Sequence, residues 1–229
     1  MKTVRLDLSE LSVRQLNDYL HHRLASEDVG VVEILNPNGM HNIAVGLDYP
    51  IEAHIRGNAG YFIAGMNRQA AVTVYGNVGW SVGENIMSGV VRVRGNASEC
   101  VAASGHGGLV VIEGDSSSRC GISMKGCDIV VGGSIGHMSG FMAQAGNLVV
   151  CGDAGAHLGD SLYEARIYVG GKIHTLGADA REEPMTDDDH AKVAALLKRA
   201  GMDISSKNFK RVVSARTLYH WNAEAHQEY

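Results

Sequence analysis

The stretch GNVGWSVG, residues 76–83, recurs in altered form as GSIGHMSG at 133–140 and as GDAGAHLG at 152–159. Its first glycine belongs to a series in which each member lies 19 residues after the one before. The anchor glycines of this series are Gly57, Gly76, Gly95, Gly114, Gly133, Gly152 and Gly171. An internal repeat this regular constrains the fold more strongly than local propensities do.

The residues around each anchor glycine repeat as well. Valine or isoleucine stands two residues before every anchor, and a second apolar residue stands four residues before it. This alternation predicts a strand that enters a glycine turn. The residue after the anchor is Asn, Asp or Ser until Lys172 breaks the rule. Gly-Asn and Gly-Asp pairs tolerate a positive φ, and the short side chain can hydrogen-bond neighbouring backbone, so we expect a turn there.

The repeat length selects the fold class. A unit of 19 residues is too short for a helix pair or a propeller blade, which need roughly 30–45 residues, and the leucine-rich repeat signature is absent. Strands from successive units can pair in parallel about 4.8 Å apart, and parallel crossovers are usually right-handed. The sequence therefore predicts an all-β solenoid over residues 41–178. We expect a single-stranded, right-handed parallel β-helix of about seven 19-residue coils.

The segments on either side of the solenoid have different patterns. Residues 1–40 predict a βαβ cap, with a helix capped by Ser9 or by Ser12 with Gln15, that covers the open first coil. Residues 179–229 predict a helix that starts at Thr186 with Asp189 and stops at Gly201. An aromatic tail follows it. We expect the tail to pack on the solenoid or to dock on another subunit.

Composition argues against several classes of partner. The formal net charge is −5, and no dense Lys/Arg stripe is present to neutralise phosphates, so we expect no nucleic acid. No apolar run approaches the length of a membrane span, and the start lacks the apolar stretch of a secretory signal. Four dispersed cysteines then indicate reduced thiols in the cytoplasm.

No motif in the sequence predicts catalysis. The glycine runs lack the Gly-Lys-Ser/Thr ending of a phosphate loop, and no G-x-S-x-G occurs. The cysteines show no C-x-x-C spacing, and the histidines form no ladder along the coils. We therefore predict no catalytic, cofactor-binding or metal-binding residue on this chain.

One outward strand position stays apolar over several coils. Val111, Val130 and Val149 share it, and Tyr168 is next in line. An apolar ladder that points outward needs a covering element, either a partner or the chain's own terminal helix. We predict a partner contact at these four residues, together with Tyr219 and Trp221 of the tail.

The repeated apolar-x-apolar-x-Gly units and the three glycine runs resemble the GXGXG domain, the β-helical C-terminal region of the glutamate synthase large subunit. The resemblance covers roughly residues 41–178. The length, the βαβ piece and the closing VVSARTLYHW (212–221) are similar to the small GXGXG subunit of methylamine–glutamate N-methyltransferase, or N-methylglutamate synthase. Formylmethanofuran dehydrogenase also has a subunit with the same repeat.

The resemblance implies a hetero-oligomeric enzyme that converts methylamine and glutamate to N-methylglutamate and ammonia. One partner would be a class II glutamine amidotransferase-like subunit, and another an FMN-binding synthase-like subunit with an iron–sulfur cluster. This chain would join them as a non-catalytic scaffold. Such an amidotransferase needs cysteine after Met1, whereas this chain has Lys2.

The sequence is compatible with two alternatives. The chain could be the β-helical scaffold of a formylmethanofuran dehydrogenase-type complex. It could also be a free-standing β-helix enzyme with an active site in a groove. The second alternative would need clustered acids along one strand face. The outward strand positions, from His54 and Arg56 to Arg92 and Arg94, carry mostly bases and apolar residues instead.

Overall fold

A computed structural model describes residues 1–216. Its strands form one eleven-stranded sheet that winds into a β-solenoid of about seven turns, so the predicted right-handed β-helix is confirmed. Within the described range, no helix has the length and apolar character needed to cross a membrane.

The N-terminal cap extends the sheet of the solenoid. It consists of β1 (Lys2–Asp7), α1 (Val13–His22) and β2 (Val29–Leu35). Strand β1 pairs in parallel with β2, and β2 pairs in parallel with the first coil strand, β3 (Glu52–Arg56). The predicted βαβ cap is confirmed. Of the two capping residues considered, Ser12 is the one used, since its side chain and that of Gln15 form a reciprocal capping box.

Each further coil adds one short strand to the growing edge of the sheet. All neighbours among them pair in parallel with an offset of 19 residues, apart from a local shift near Lys125. Their inward valines and isoleucines stack into one continuous core. The strands are β4 (Ala71–Val74), β5 (Val90–Val93), β6 (Leu109–Ile112), β7 (Lys125–Val131), β8 (Ala145–Val150) and β9 (Arg166–Val169).

The C-terminal end of the solenoid is closed by a pair of antiparallel strands that the sequence did not predict. Strand β10 (Ala180–Glu183) and helix α2 (Asp187–Arg199) are followed by a 3-10 turn (Ser206–Asn208) and β11 (Lys210–Ser214). Strand β11 lies between β9 and β10 and is antiparallel to both. This strand pair covers the sheet edge that the last coil would otherwise expose.

A side-chain ladder links the residues that follow the anchor glycines. The side-chain oxygen of each residue accepts a hydrogen bond from the backbone N–H of its counterpart 19 residues later. For example, Asn77 Oδ1 accepts from Asn96 N at 2.8 Å. Six such bonds, 2.7–3.0 Å long, run from Asn58 to Lys172. Lys172 only donates its backbone N–H, which explains why the last member needs no acceptor side chain.

The anchor glycines are required mainly by close approach rather than by a positive φ. Among the seven, only Gly57 has a φ in the left-handed region, at 135°. A Cβ on Gly95 would instead lie 2.5 Å from Asn77 Oδ1, and a Cβ on Gly76 would lie 2.6 Å from the carbonyl carbon of Gly57. The tolerance of Gly-Asn and Gly-Asp pairs for a positive φ is therefore not used at the other six anchors. The ladder itself excludes a side chain there.

The turn after each of the first six anchors, Gly57 to Gly152, contains three left-handed residues. In one coil these are Phe62, Ala64 and Met66, with φ of 58°, 51° and 58°. The N–H groups of Phe62 and Met66 donate to the next coil, whereas that of Ala64 donates to Ile43 O of the preceding coil at 3.0 Å. We call this side of the solenoid the turn face. It consists of residues 61–66, 80–85, 99–104, 118–123, 137–142 and 156–161.

Candidate interaction surfaces

The outward apolar ladder is covered by the chain's own closing helix. Val111, Val130, Val149 and Tyr168 are fully buried and form a second core with α2. The prediction of a partner contact at these four residues is therefore wrong, because α2 occupies that space. The residues of α2 and its surroundings in this core are Val193, Leu196, Leu197, Ala200 and Phe209. The other predicted contacts, Tyr219 and Trp221, lie outside the described residues and stay predictions.

Asp189 fixes the start of α2 on the solenoid. Its Oδ2 accepts hydrogen bonds from the N–H and hydroxyl of Thr186, as the sequence predicted for the cap, and pairs with Arg211 Nη1 at 2.7 Å. Its Oδ1 accepts from the hydroxyl of Tyr168 at 2.8 Å. Burial alone would raise the pKa of Asp189. The donors from Thr186 and Tyr168 and the charge of Arg211 outweigh burial and lower the pKa to about 2.

The other end of α2 is fixed as well. Gly201, with φ of 69°, ends the helix, and the N–H groups of Gly201 and Met202 donate to Lys198 O and Leu197 O. This is a Schellman motif, so the predicted stop at Gly201 is confirmed. Arg92 donates to Ala200 O at 2.9 Å and to Glu113 at 2.9 Å. The helix is therefore attached to the coils at both ends.

The cysteines are free thiols in environments that disfavour the thiolate. Burial raises the pKa of Cys120 and of Cys127 to about 12, and that of Cys151 to about 11. Burial also raises the pKa of Cys100, and the nearby Glu99 carboxylate adds to the effect. The thiolate is the form that attacks and that binds metals. In residues 1–216, no group of three His, Cys, Asp or Glu side chains is placed to hold a metal ion.

A cleft of about 620 Å³ lies at the closed end of the solenoid, beside strands β10 and β11. Four arginines line it, but most of their charge is met by neighbouring carboxylates. Arg211 pairs with Glu183 and Asp189, Arg181 pairs with Glu183, and Arg216 pairs with Asp179. A free anion would have to compete with these internal pairs, so this cleft is a poor anion site.

Tyr61 and Trp80 of the turn face form an exposed aromatic group with the neighbouring His41, and we call this group the aromatic corner. The rings of His41 and Tyr61 stack with centroids 4.0 Å apart, and those of Tyr61 and Trp80 lie 6.0 Å apart. Tyr61 is 38% exposed and Trp80 is 55% exposed. The sequence did not lead us to predict this group. The signal that could have found it is that Tyr61 and Trp80 both lie four residues after an anchor glycine, at a turn position rather than a strand position.

One relative matches the chain over almost all of its length. Protein GlxC of Rhizobium meliloti (strain 1021) is 52% identical to it over 221 residues, which cover 96% of this chain and 96% of that protein. The chain belongs to the GlxC family. No protein-family model matches it. Glycine accounts for only 29 of the 229 residues, so the similarity of this GlxC-family chain to its relative extends well beyond the repeat glycines.

Proposed function

We propose that this GlxC-family chain is a non-catalytic scaffold subunit of a glutamate synthase-like complex, and more specifically of an N-methylglutamate synthase. The observation that supports this proposal most strongly is that each coil is bound to the next by three sets of hydrogen bonds. Parallel strands, the side-chain ladder and the turn-face hydrogen bonds all connect successive coils. Six coil intervals of about 4.8 Å give a rod roughly 29 Å long. Such a rod can hold two other proteins in fixed relation.

The partners in this proposal supply the chemistry. A class II glutamine amidotransferase-like subunit would process the glutamate-derived group. An FMN-binding synthase-like subunit with an iron–sulfur cluster would complete the conversion of methylamine and glutamate to N-methylglutamate and ammonia. Fixing the two active sites relative to each other raises the effective concentration of an intermediate passed between them. The scaffold itself contributes orientation and no reacting group.

The thiols of the chain support this division of labour. All four cysteines are free, and their raised pKa values disfavour both nucleophilic attack and cluster ligation. Free thiols also fit a reducing compartment, so we propose that the complex works in the cytoplasm.

A groove enzyme has less support. At outward strand positions, Arg56 pairs with Glu33 at 2.8 Å and Arg94 pairs with Glu113 at 2.6 Å. These carboxylates are engaged in ion pairs rather than set as an acid/base pair around a groove.

Purification of the tagged chain from its native cells tests the proposal. Mass spectrometry identifies what copurifies, and an absorbance spectrum shows whether flavin is present. We expect an amidotransferase-like protein and an FMN-binding protein in fixed ratio with the chain. Recovery of a lone, colourless protein would contradict the proposal. Copurification of formylmethanofuran dehydrogenase-type subunits without flavin would favour the alternative scaffold role.

A further inference from the structure

We propose that the aromatic corner is a docking site for an arginine-bearing segment of a partner subunit. This inference rests on the proposed scaffold function and assigns one of its contacts to His41, Tyr61, Trp80 and the neighbouring Glu99. The aromatic corner is separate from the outward apolar ladder that α2 covers, because Tyr61 and Trp80 lie on the turn face.

The His41–Tyr61 pair of the aromatic corner is ordered by contacts with the backbone. The N–H of Tyr61 donates to Nδ1 of His41 at 3.1 Å, and the two rings are inclined by only 22°. A Cβ on Gly60 would collide with the His41 ring, so glycine at that position is what allows the ring to lie so close. Tyr and Trp are common anchors of protein interfaces, and a pre-ordered pair loses little entropy on binding.

The geometry disfavours a small aromatic ligand or a nucleic acid. Rings stacked 4.0 Å apart leave no space for another ring to insert between His41 and Tyr61. A nucleic acid would bring phosphates to a chain whose formal net charge is −5. A protein surface that covers the corner from outside avoids both problems.

The charge next to Trp80 indicates the kind of side chain that the partner presents. Glu99 occupies the same turn position one coil later, and the N–H of Ser81 donates to Glu99 O at 2.8 Å, so the two turns are adjacent. The Glu99 side chain is 42% exposed, and its ion pair with Arg119 is long, at 3.9 Å. A guanidinium can stack on an indole ring and pair with a carboxylate at the same time.

A second copy of this chain fits the corner less well. A two-fold contact places the same patch on both sides of the interface. It would bring Glu99 of one copy toward Glu99 of the other, and like charges that face each other oppose association. We therefore assign the corner to a non-identical subunit.

Binding of corner variants to the purified amidotransferase-like and FMN-binding subunits tests the assignment. We expect Trp80→Ala to weaken assembly by about thirtyfold and Tyr61→Ala by about tenfold, as at interface hot spots. The matched control is Met87→Ala, which removes an apolar side chain that is 43% exposed outside the corner. It should change the dissociation constant by less than about threefold, since most exposed contacts add little.

The contribution of the Glu99 charge to binding is tested separately. Glu99→Gln should weaken binding by about fivefold at low salt, and wild-type binding should fall as salt rises, because an exposed ion pair is screened. Thermal unfolding of every variant should match wild type, which excludes a loss of fold.

Three results would overturn the inference. Wild-type chain that assembles with both subunits while Trp80→Ala assembles equally well would remove the corner from the interface and leave the scaffold proposal intact. Self-association of the isolated chain that Trp80→Ala abolishes would assign the corner to a second copy. Loss of binding in Trp80→Ala with no effect of Glu99→Gln or salt would exclude an arginine. Wild-type chain that binds neither subunit would instead contradict the proposed function itself.

Discussion

The hydroxyl of Tyr168 donates a 2.8 Å hydrogen bond to Oδ1 of Asp189, and both side chains are fully buried. The bond joins the last coil strand to the first turn of α2. Burial and this bond to a carboxylate raise the pKa of Tyr168 to about 12, so its hydroxyl stays protonated and remains a donor. Asp189 therefore serves at once as helix cap, as acceptor for Tyr168 and as counter-ion for Arg211.

Asp189→Asn should destabilise the fold strongly. The amide keeps the shape but removes the charge that lies 2.7 Å from Arg211 Nη1, and it leaves this mostly buried guanidinium with Glu183 as its remaining charged partner. We expect a loss of about 3 kcal/mol in the free energy of unfolding, measured by urea denaturation. Asp188→Asn is the matched control, because Asp188 is exposed in the same helical turn and should cost at most about 1 kcal/mol. Equal losses for the two variants would contradict the role of Asp189.

The lowered pKa of Asp189 predicts that part of the free energy of unfolding is lost in acid. The pKa of Asp189 is about 2 in the folded chain and lies near 3.8 without the fold. A lowered folded pKa gives stability that is fully present well above pH 4 and is lost as the pH falls toward 2. The size of this component is about 2.5 kcal/mol. Stability measured from pH 6 to pH 2 should fall more steeply in wild type than in Asp189→Asn; parallel curves would contradict the assignment.

A substitution in the outward apolar ladder beneath α2 distinguishes a role in folding from a role in assembly. Val130→Glu places a charge in the dry space beneath α2 and should cost several kcal/mol of unfolding free energy. Thr73→Glu is the matched control, because Thr73 occupies the same strand position on a coil that α2 does not reach, and should change stability by less than about 0.5 kcal/mol. A stable Val130→Glu protein that fails only in assembly would restore the partner contact that the structure contradicts.

The side-chain ladder can be tested with two substitutions at Asn96. Asn96→Ala removes the acceptor for the Asp115 N–H, a bond of 2.8 Å, and should cost about 1 kcal/mol in urea denaturation. Asn96→Asp keeps an acceptor oxygen, as Asp115 and Asp153 do in the wild-type ladder. Its stability should stay within about 0.5 kcal/mol of wild type. If both variants lose the same free energy of unfolding, the acceptor oxygens of the ladder do not contribute to stability.

The buried thiols should resist alkylation in the folded chain. With a pKa of about 12, Cys120 and Cys127 hold almost no thiolate at pH 8, and both side chains are buried. Iodoacetamide followed by mass spectrometry should find them unmodified, with the half-buried Cys100 the first to react. All four cysteines should react in urea. Rapid modification of Cys120 in the folded chain would indicate an activated thiol and reopen the question of catalysis.

The coils were predictable because one physical constraint repeats. Parallel strands stacked in register require the same residue type every 19 positions, so Val74 and Val93, or Gly76 and Gly95, report the fold directly. Helix α2 was predictable for a local reason, since Thr186 and Asp189 form its cap within four residues. The reason for the anchor glycines was not predictable, because the collision at Gly95 involves Asn77 of the preceding coil.

The interaction surfaces were harder to predict than the fold. Val130 is apolar and points outward, and that pattern is the same whether a partner or the chain's own helix covers it. Only the position of α2 decides between the two. Strand β11 was missed because KRVVS is short, and its place between β9 and β10 depends on contacts distant in sequence. The aromatic corner depends on rings from successive coils meeting at one turn position.

The most direct test of the scaffold role is to mix the purified amidotransferase-like and FMN-binding subunits with and without this chain, and to measure the mass of the products by light scattering. We expect one complex that contains all three proteins when the chain is present, and separate subunits when it is absent. If the two subunits associate equally well without the chain, or if the chain joins neither, the scaffold role is contradicted.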